Sequence, residues 1–413
     1  MTIWLLALLL MASTAALGYR QGAIRVAVSL IGILAATLLA LPLAKLVKLL
    51  MGSFGVVNPV VLWILGPVIA FVIISAIFKA CALPLHQKVD VHYKYHAGDL
   101  RLALWERLNS RLGACLGLVN GAAYAILICF GIYILSYWTF QVGSGERDPR
   151  GMRILNRMGE DLQKTGFHKV ARTLDSLPDS YYRVADLVGL LYFNPLLEAR
   201  LSRYPAFLSL AERTDFATLG KDSTFTKMRM SKEPIMELLK YQSVDPMMQN
   251  PETVKLVWNT IHENLADLPG YLDTGKSPKY DPQKILGRWR FDVGAAAAAA
   301  RRAKPNMPSS EMLKLRRWMQ LAFAETTIVA MTDGKITLKN LPSVRQPVAP
   351  APGQPPTAPV TVASETLQGR WKDLDDKYQI NFDGKDDIFA KIEGSRLMMT
   401  MEGTPLAFVP EGY

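Results

Sequence analysis

The chain has 413 residues, half of them hydrophobic, with 47 Lys and Arg against 36 Asp and Glu for a net charge of +11. The length allows two or three domains, and the basic residues are spread along the chain with no run interleaved with aromatics, which argues against nucleic-acid binding. All three cysteines, Cys81, Cys115 and Cys129, precede residue 140, so the remaining two thirds of the chain has no disulfide framework.

Residues 1–17 are apolar. A signal peptide would begin with basic residues, yet the first one is Arg20, so a retained helix with its N-terminus outside is expected. Gly18-Tyr19-Arg20-Gln21-Gly22-Ala23-Ile24-Arg25 then reads as a tight connection at a membrane face, with Gly18, Arg20, Gly22 and Arg25 as its key residues. A second span is expected at residues 26–43, stopped near Pro42, and a Gly-rich link at 51–58. A third is expected at 59–81, kinked at Gly66-Pro67, because proline removes a backbone donor that lipid cannot replace.

The stretch at residues 106–138 organises the rest. It begins charged, turns apolar at Leu112 and is long enough to cross a hydrocarbon core of about 30 Å. Gly113, Gly117 and Gly121 recur every four residues on one helix face, where small side chains let two backbones approach closely in lipid. This face is expected to pack helices and to join copies of the chain.

Basic residues set the topology. The first and third connections hold Arg20, Arg25, Lys79, Lys88, Lys94, Arg101, Arg107 and Arg111; the other side holds Lys45, Lys48, Arg147, Arg150, Arg153 and Arg157. The positive-inside rule then puts both termini and the whole C-terminal region outside. In the third connection, Leu100, Leu104, Leu108 and Leu112 alternate with charges, as in a helix lying on a membrane surface or one packed on the bundle. His92 and His96 are four apart, but with His86 and Asp90 they make no recurring ligand set, so a solvated basic loop is expected rather than a metal site.

Residues 3–140 resemble the colicin V production protein (CvpA-like) family. The carriers are the opening apolar run, Gly18-Tyr19-Arg20-Gln21-Gly22 with Arg25, and Arg107-Leu108-Asn109 leading into Gly113, Gly117 and Gly121. The resemblance implies a four-helix protein of the bacterial inner membrane, linked with colicin V production or export (toxin biosynthesis) and with envelope maintenance. Asn120 departs from the basic residue expected before the third glycine. Some relatives carry an external serine protease. This chain has no Gly-Asp-Ser-Gly loop and only His168 and His262 after the membrane part, so no catalytic residue, metal or cofactor is assigned.

Residues 141–283 read as a helical soluble region entered by a polar linker. Five to seven short helices are expected, with starts at Asn194-Pro195 and Asn250-Pro251, another after Pro234, and breaks at Pro205, Pro246 and Pro269. Met247 and Met248 are expected in a core.

Residues 284–413 read as a β-domain of about eight strands, a small antiparallel barrel or sandwich. Gly287-Arg288-Trp289 returns as Gly369-Arg370-Trp371, and turns are expected at Asp333-Gly334, Asp383-Gly384, Glu393-Gly394 and Glu402-Gly403. A helical insert is expected at 294–324 and a Pro-rich loop at 344–359. The Gly-x-Trp signature (Gly287, Trp289, Gly369, Trp371) resembles lipocalin-like domains, which implies apolar-ligand binding as one alternative and a barrel filled by its own side chains as another.

The fold expected is thus a multi-domain membrane protein: a four-helix transmembrane bundle, an all-α soluble region and a β-domain. The expected role is a non-enzymatic anchor or scaffold that meets the lipid bilayer, copies of itself or other envelope proteins, and holds a periplasmic binding region. The alternative is a part of a transport or export system.

Overall fold

The computed structural model describes residues 2–55, 59–96, 99–175, 177–343, 363–401 and 403–411. The expected Pro-rich loop at 344–359, and Glu402 of the expected Glu402-Gly403 turn, lie outside the described residues. The chain forms two compact units, Met1–Asn194 with Lys221–His262, and Pro195–Gly220 with Glu263–Tyr413.

The first unit opens with four long apolar helices: α1 (Thr2–Gln21), α2 (Ala23–Ser53), α3 (Pro59–His96) and α4 (Asp99–Gln141). Each is long and apolar enough to cross a membrane, and Leu5, Leu38 and Leu49 stand exposed on their outer faces. At 1.5 Å per residue α4 is roughly 65 Å long, about twice the hydrocarbon thickness, so it carries the chain out of the lipid at both ends.

Three expectations change here. Pro42 lies inside α2 rather than at its end, and α3 runs past residue 81, with Pro67, where the kink is expected, and Pro84 both inside it. The histidine-bearing connection is helical to His96 rather than a loop, and Asp99–Gln141 is one helix rather than a surface helix followed by a span. In lipid every backbone group needs an internal partner, so losing one bond at a proline costs less than ending the helix.

In packing order α1 meets α4, α4 meets α2, and α2 meets α3. The interface of α2 with α3 is built from small residues on α2: Gly32, Ala36, Ala40 and Ala44 are all buried, and Gly32 faces the Phe78 ring so closely that an added methyl would stand 2.9 Å from Cγ.

Eleven short α-helices follow among the described residues, more than expected. They are α5 (Arg150–Thr165), α6 (Phe167–Thr173), α7 (Asp179–Phe193), α8 (Leu196–Leu201), α9 (Leu208–Ala211), α10 (Thr214–Lys221), α11 (Ser223–Met230), α12 (Ile235–Leu239), α13 (Asp245–Gln249), α14 (Pro251–Asn264) and α15 (Leu268–Thr274). Asn250 caps α14 by accepting from the Glu252 and Thr253 amides. Asn194 does not start α8; its side-chain amide donates to the Leu190 carbonyl at the end of α7. Pro205, Pro246 and Pro269 open short helices rather than interrupt them, because proline at a first turn forfeits no helical bond. Met248 is exposed, Met247 is half-buried, and no residue of α13 is fully buried, so this pair does not fill a core.

The second unit is built on a closed antiparallel barrel of eight strands in chain order: β1 (Gly287–Phe291), β2 (Thr327–Ala330), β3 (Lys335–Ser343), β4 (Ala363–Asp373), β5 (Tyr378–Phe382), β6 (Ile388–Glu393), β7 (Arg396–Met401) and β8 (Thr404–Pro410). Closure comes from β1 pairing with β8, Trp289 opposite Pro410 and Phe291 opposite Phe408. A bulge between Leu338 and Leu341 bends β3; Asn340 adopts φ 53° there, and its carbonyl accepts from the Thr326 hydroxyl at 2.8 Å.

The helical insert forms α16 (Val293–Ala303) and α17 (Ser309–Ala322) between β1 and β2. Ala296, Ala300, Met319 and Phe323 from this insert join Ile328, Ile336, Ile380, Phe382, Leu397 and Phe408 of the strands in one buried cluster. The buried interior of the barrel thus holds the chain's own side chains. Outside the barrel, Leu208 packs with Val329 and Met331, and the largely buried Glu212 accepts from Arg288 and Lys339. These contacts attach α9 to the barrel, which the sequence pattern did not indicate.

Candidate functional site at the helix joint

The sequence motifs of the membrane part meet at one joint. α1 and α4 run antiparallel, with Gly18 against Gly113, Gly117 against Thr14 and Ala15, and Gly121 against Leu10, Met11 and Thr14. A methyl group on Gly117 would stand 2.9 Å from the Ala15 Cα, and one on Gly121 2.7 Å from the Met11 Cα. The helices thus touch backbone to backbone, which gives dispersion contact where apolar burial provides no drive. The glycine face is covered by α1 of the same chain. It is not free to join two copies, which corrects the expected route to an oligomer.

One turn further along, Gly22 breaks α1 from α2 with φ 83°, a conformation that favours glycine. There the Asn109 side-chain oxygen accepts from the Ala23 amide at 2.7 Å. Asn109 on α4 thereby satisfies one of the orphan donors at the start of α2. Every fourth residue of α4 serves this joint: Trp105 stacks on Tyr93 of α3 at 4.5 Å, Asn109 caps α2, and Gly113, Gly117 and Gly121 seat α1. Gly18-Tyr19-Arg20-Gln21-Gly22 and Arg107-Leu108-Asn109 are far apart in sequence yet form one structural element.

Arg20 is exposed, and Arg25 is half-buried with an Nε that has no hydrogen-bond partner. His86 lies within electrostatic reach of Arg25 and Asp90. Deeper in the bundle, Asn120 donates a long 3.5 Å bond to the buried Ser29 hydroxyl, linking α4 to α2. Among the described residues no group of three or more His, Cys, Asp or Glu is placed to hold a metal ion.

At its other end α4 is locked into a collar. Tyr137 and Gln141 each donate to Asp186 of α7 at 2.7 Å, and Tyr181 donates to the Ile134 carbonyl at 2.9 Å. Burial, reinforced by the nearby Asp175 carboxylate, pushes the Tyr181 phenol well above its usual range, so it stays a donor. The polar segment after α4 is a built corner rather than a loose linker: buried Asp148 accepts from the Ser144 and Gly145 amides at 2.8 and 3.0 Å. The start of α1 reaches the same collar, where Asp161 of α5 accepts from the Ile3 amide, and Ile3 packs with Cys129, Ile132 and Leu162. His168 lies half-buried on α6. His262 lies on α14 beside the Trp258 ring.

The two Gly-x-Trp triplets of the barrel do different work. Gly287 has φ 132° and open space around it, so the backbone requires glycine there. Gly369 is needed for contact: a methyl group would stand 2.8 Å from the Phe382 Cα on β5. Both indoles are tied to the main chain, Trp289 donating to Ile285 at 2.8 Å and Trp371 to Met331 at 3.0 Å. A cleft of about 360 Å³ lies where the α15–β1 connection meets the β6–β7 turn, lined by Tyr271, Tyr280, Lys284, Trp289 and Ser395 among others.

Compared with models of protein families, with curated proteins and with solved structures, the chain matches none.

Proposed function

We propose that this chain is an integral protein of a bacterial inner membrane, similar to the CvpA-like family, acting as a non-catalytic anchor and scaffold. Its bundle holds the collar helices and the barrel on the periplasmic side for envelope partners. The observation that carries this reading is the continuity of α4. One helix seats α1 through three glycines, caps α2 through Asn109, and then enters the collar through Tyr137 and Gln141. A single stiff element with packed partners along its length suits the transmission of position. Among the described residues the buried polar side chains of the spans are Ser29, Ser75, Asn120 and Ser136, none of them ionisable, whereas ion and proton pathways are built from ionisable groups.

The test has two arms. Alkaline phosphatase fused after Tyr413 is expected to be active, and a cytoplasm-dependent fluorescent fusion at the same point dark; the opposite pair refutes the orientation. Liposomes containing the full chain are expected to retain an entrapped ion as protein-free liposomes do; release refutes the scaffold reading in favour of transport.

A further inference from the structure

The basic end of α4 presents an outer face that no described helix covers. At about 100° per residue, Leu100, Leu104, Leu108 and Leu112 fall with Arg101, Arg107 and Arg111 inside an arc of about 140°. Trp105, Asn109 and Gly113, which fall outside this arc, make the contacts with α3, α2 and α1. The four leucines are 79%, 61%, 56% and 45% exposed. All three arginines are exposed, and among the described residues no ion pair engages them. Glu106 falls outside the arc.

We infer that this face binds anionic phospholipids: Leu108 and Leu112, nearest the apolar span, meet the acyl boundary while Arg101, Arg107 and Arg111 hold the headgroup phosphates. Two observations choose lipid as the occupant. The arc is continuous with the exposed Leu118 and Val119 further along the same helix, inside the apolar span. Its charge is of one sign, so a second copy of the face would bring arginine against arginine, whereas an anionic headgroup layer is complementary. Long arginine stems cover apolar surface and place their guanidinium groups at the headgroup level, and the guanidinium fork matches phosphate geometry. The inference rests on the bilayer placement of the bundle and is independent of the scaffold role.

The test is native mass spectrometry of the full chain in detergent, titrated with phosphatidylglycerol or phosphatidylcholine. Wild type is expected to retain phosphatidylglycerol in preference. R101Q, R107Q and R111Q should each lower that preference about fivefold, and R157Q, at an exposed position of α5, should leave it unchanged. Protection of the buried Cys129 thiol from labelling verifies that the variants are folded. Equal retention of the two lipids by wild type, a triple variant that keeps the full preference, or a Leu104→Cys variant that cross-links copies across this face would each overturn the inference. A chain that enters bilayers without headgroup preference sinks this inference and leaves the membrane placement standing; a chain that stays dispersed without detergent sinks both.

Discussion

Gly117→Ala tests the joint directly. The added methyl would stand 2.9 Å from the Ala15 Cα, and closer still to the Thr14 carbonyl, where ordinary contact begins at 3.4 Å. Both obstacles are backbone, so no rotamer change relieves them, and α1 and α4 must separate by at least half an ångström. A gap of that size forfeits about a quarter of each dispersion contact nearby, and overpacking of this kind costs about 1–3 kcal/mol. Cys129 reports the separation, because it is buried with Ile3 of α1 and Leu162 of α5. With Cys81 and Cys115 replaced by alanine it is the sole thiol, and its labelling follows the opening equilibrium when reclosing is fast. The cost above corresponds to labelling accelerated about 5- to 150-fold. Gly131→Ala on the same helix meets nothing within 4 Å and serves as the control. Labelling of Gly117→Ala at the rate of that control would refute the reasoning.

Three further outcomes are expected. Asn109→Ala removes the cap on α2 and should cost about 1 kcal/mol, while Gly22→Ala strains a φ of 83° and meets the Asn109 side chain; combining the two should be less costly than their sum, and strict additivity in thermal stability would mean the residues do not interact. Phe382 is fully buried in the barrel, so Phe382→Ala should lose about 3–5 kcal/mol in denaturant unfolding; a change below about 1 kcal/mol would mean the interior is not packed as described. Asp292 is held below the usual carboxylate value: burial opposes ionisation, but the Ala295 amide and the Arg396 guanidinium outweigh it. A lowered folded value means its contribution is complete above the unfolded value near 3.8 and is lost as pH falls through the folded value below it. Asp292→Asn should therefore flatten the loss of barrel stability below about pH 4; an unchanged acid profile would rule this carboxylate out as a source of it.

The strands and turns of the barrel were readable locally. Asp333-Gly334, Asp383-Gly384 and Glu393-Gly394 each precede a strand, and their glycines adopt positive φ. The turn between β4 and β5 carries no glycine; Asp375 takes φ 64° instead, and the sequence pattern passed over it. Gly32, Ala36, Ala40 and Ala44 repeat every four residues, and the same reasoning applied to Gly113 could have found them. Glu212 and Leu208 left no such signal, since a side chain that docks on a distant strand follows no local period.

Apolar runs, glycine spacing and β-period were enough to establish from the amino-acid order alone that four helices suit lipid and that a strand-rich domain ends the chain, because solvent preference and backbone freedom are properties of each residue and its near neighbours. Only the tertiary structure decided that the glycine face seats α1, that Asn109 caps α2, and which side chains the barrel buries. Those outcomes depend on which surfaces meet across long separations in the chain, and many pairings of small and apolar faces are equally compatible with a linear pattern until close packing selects one.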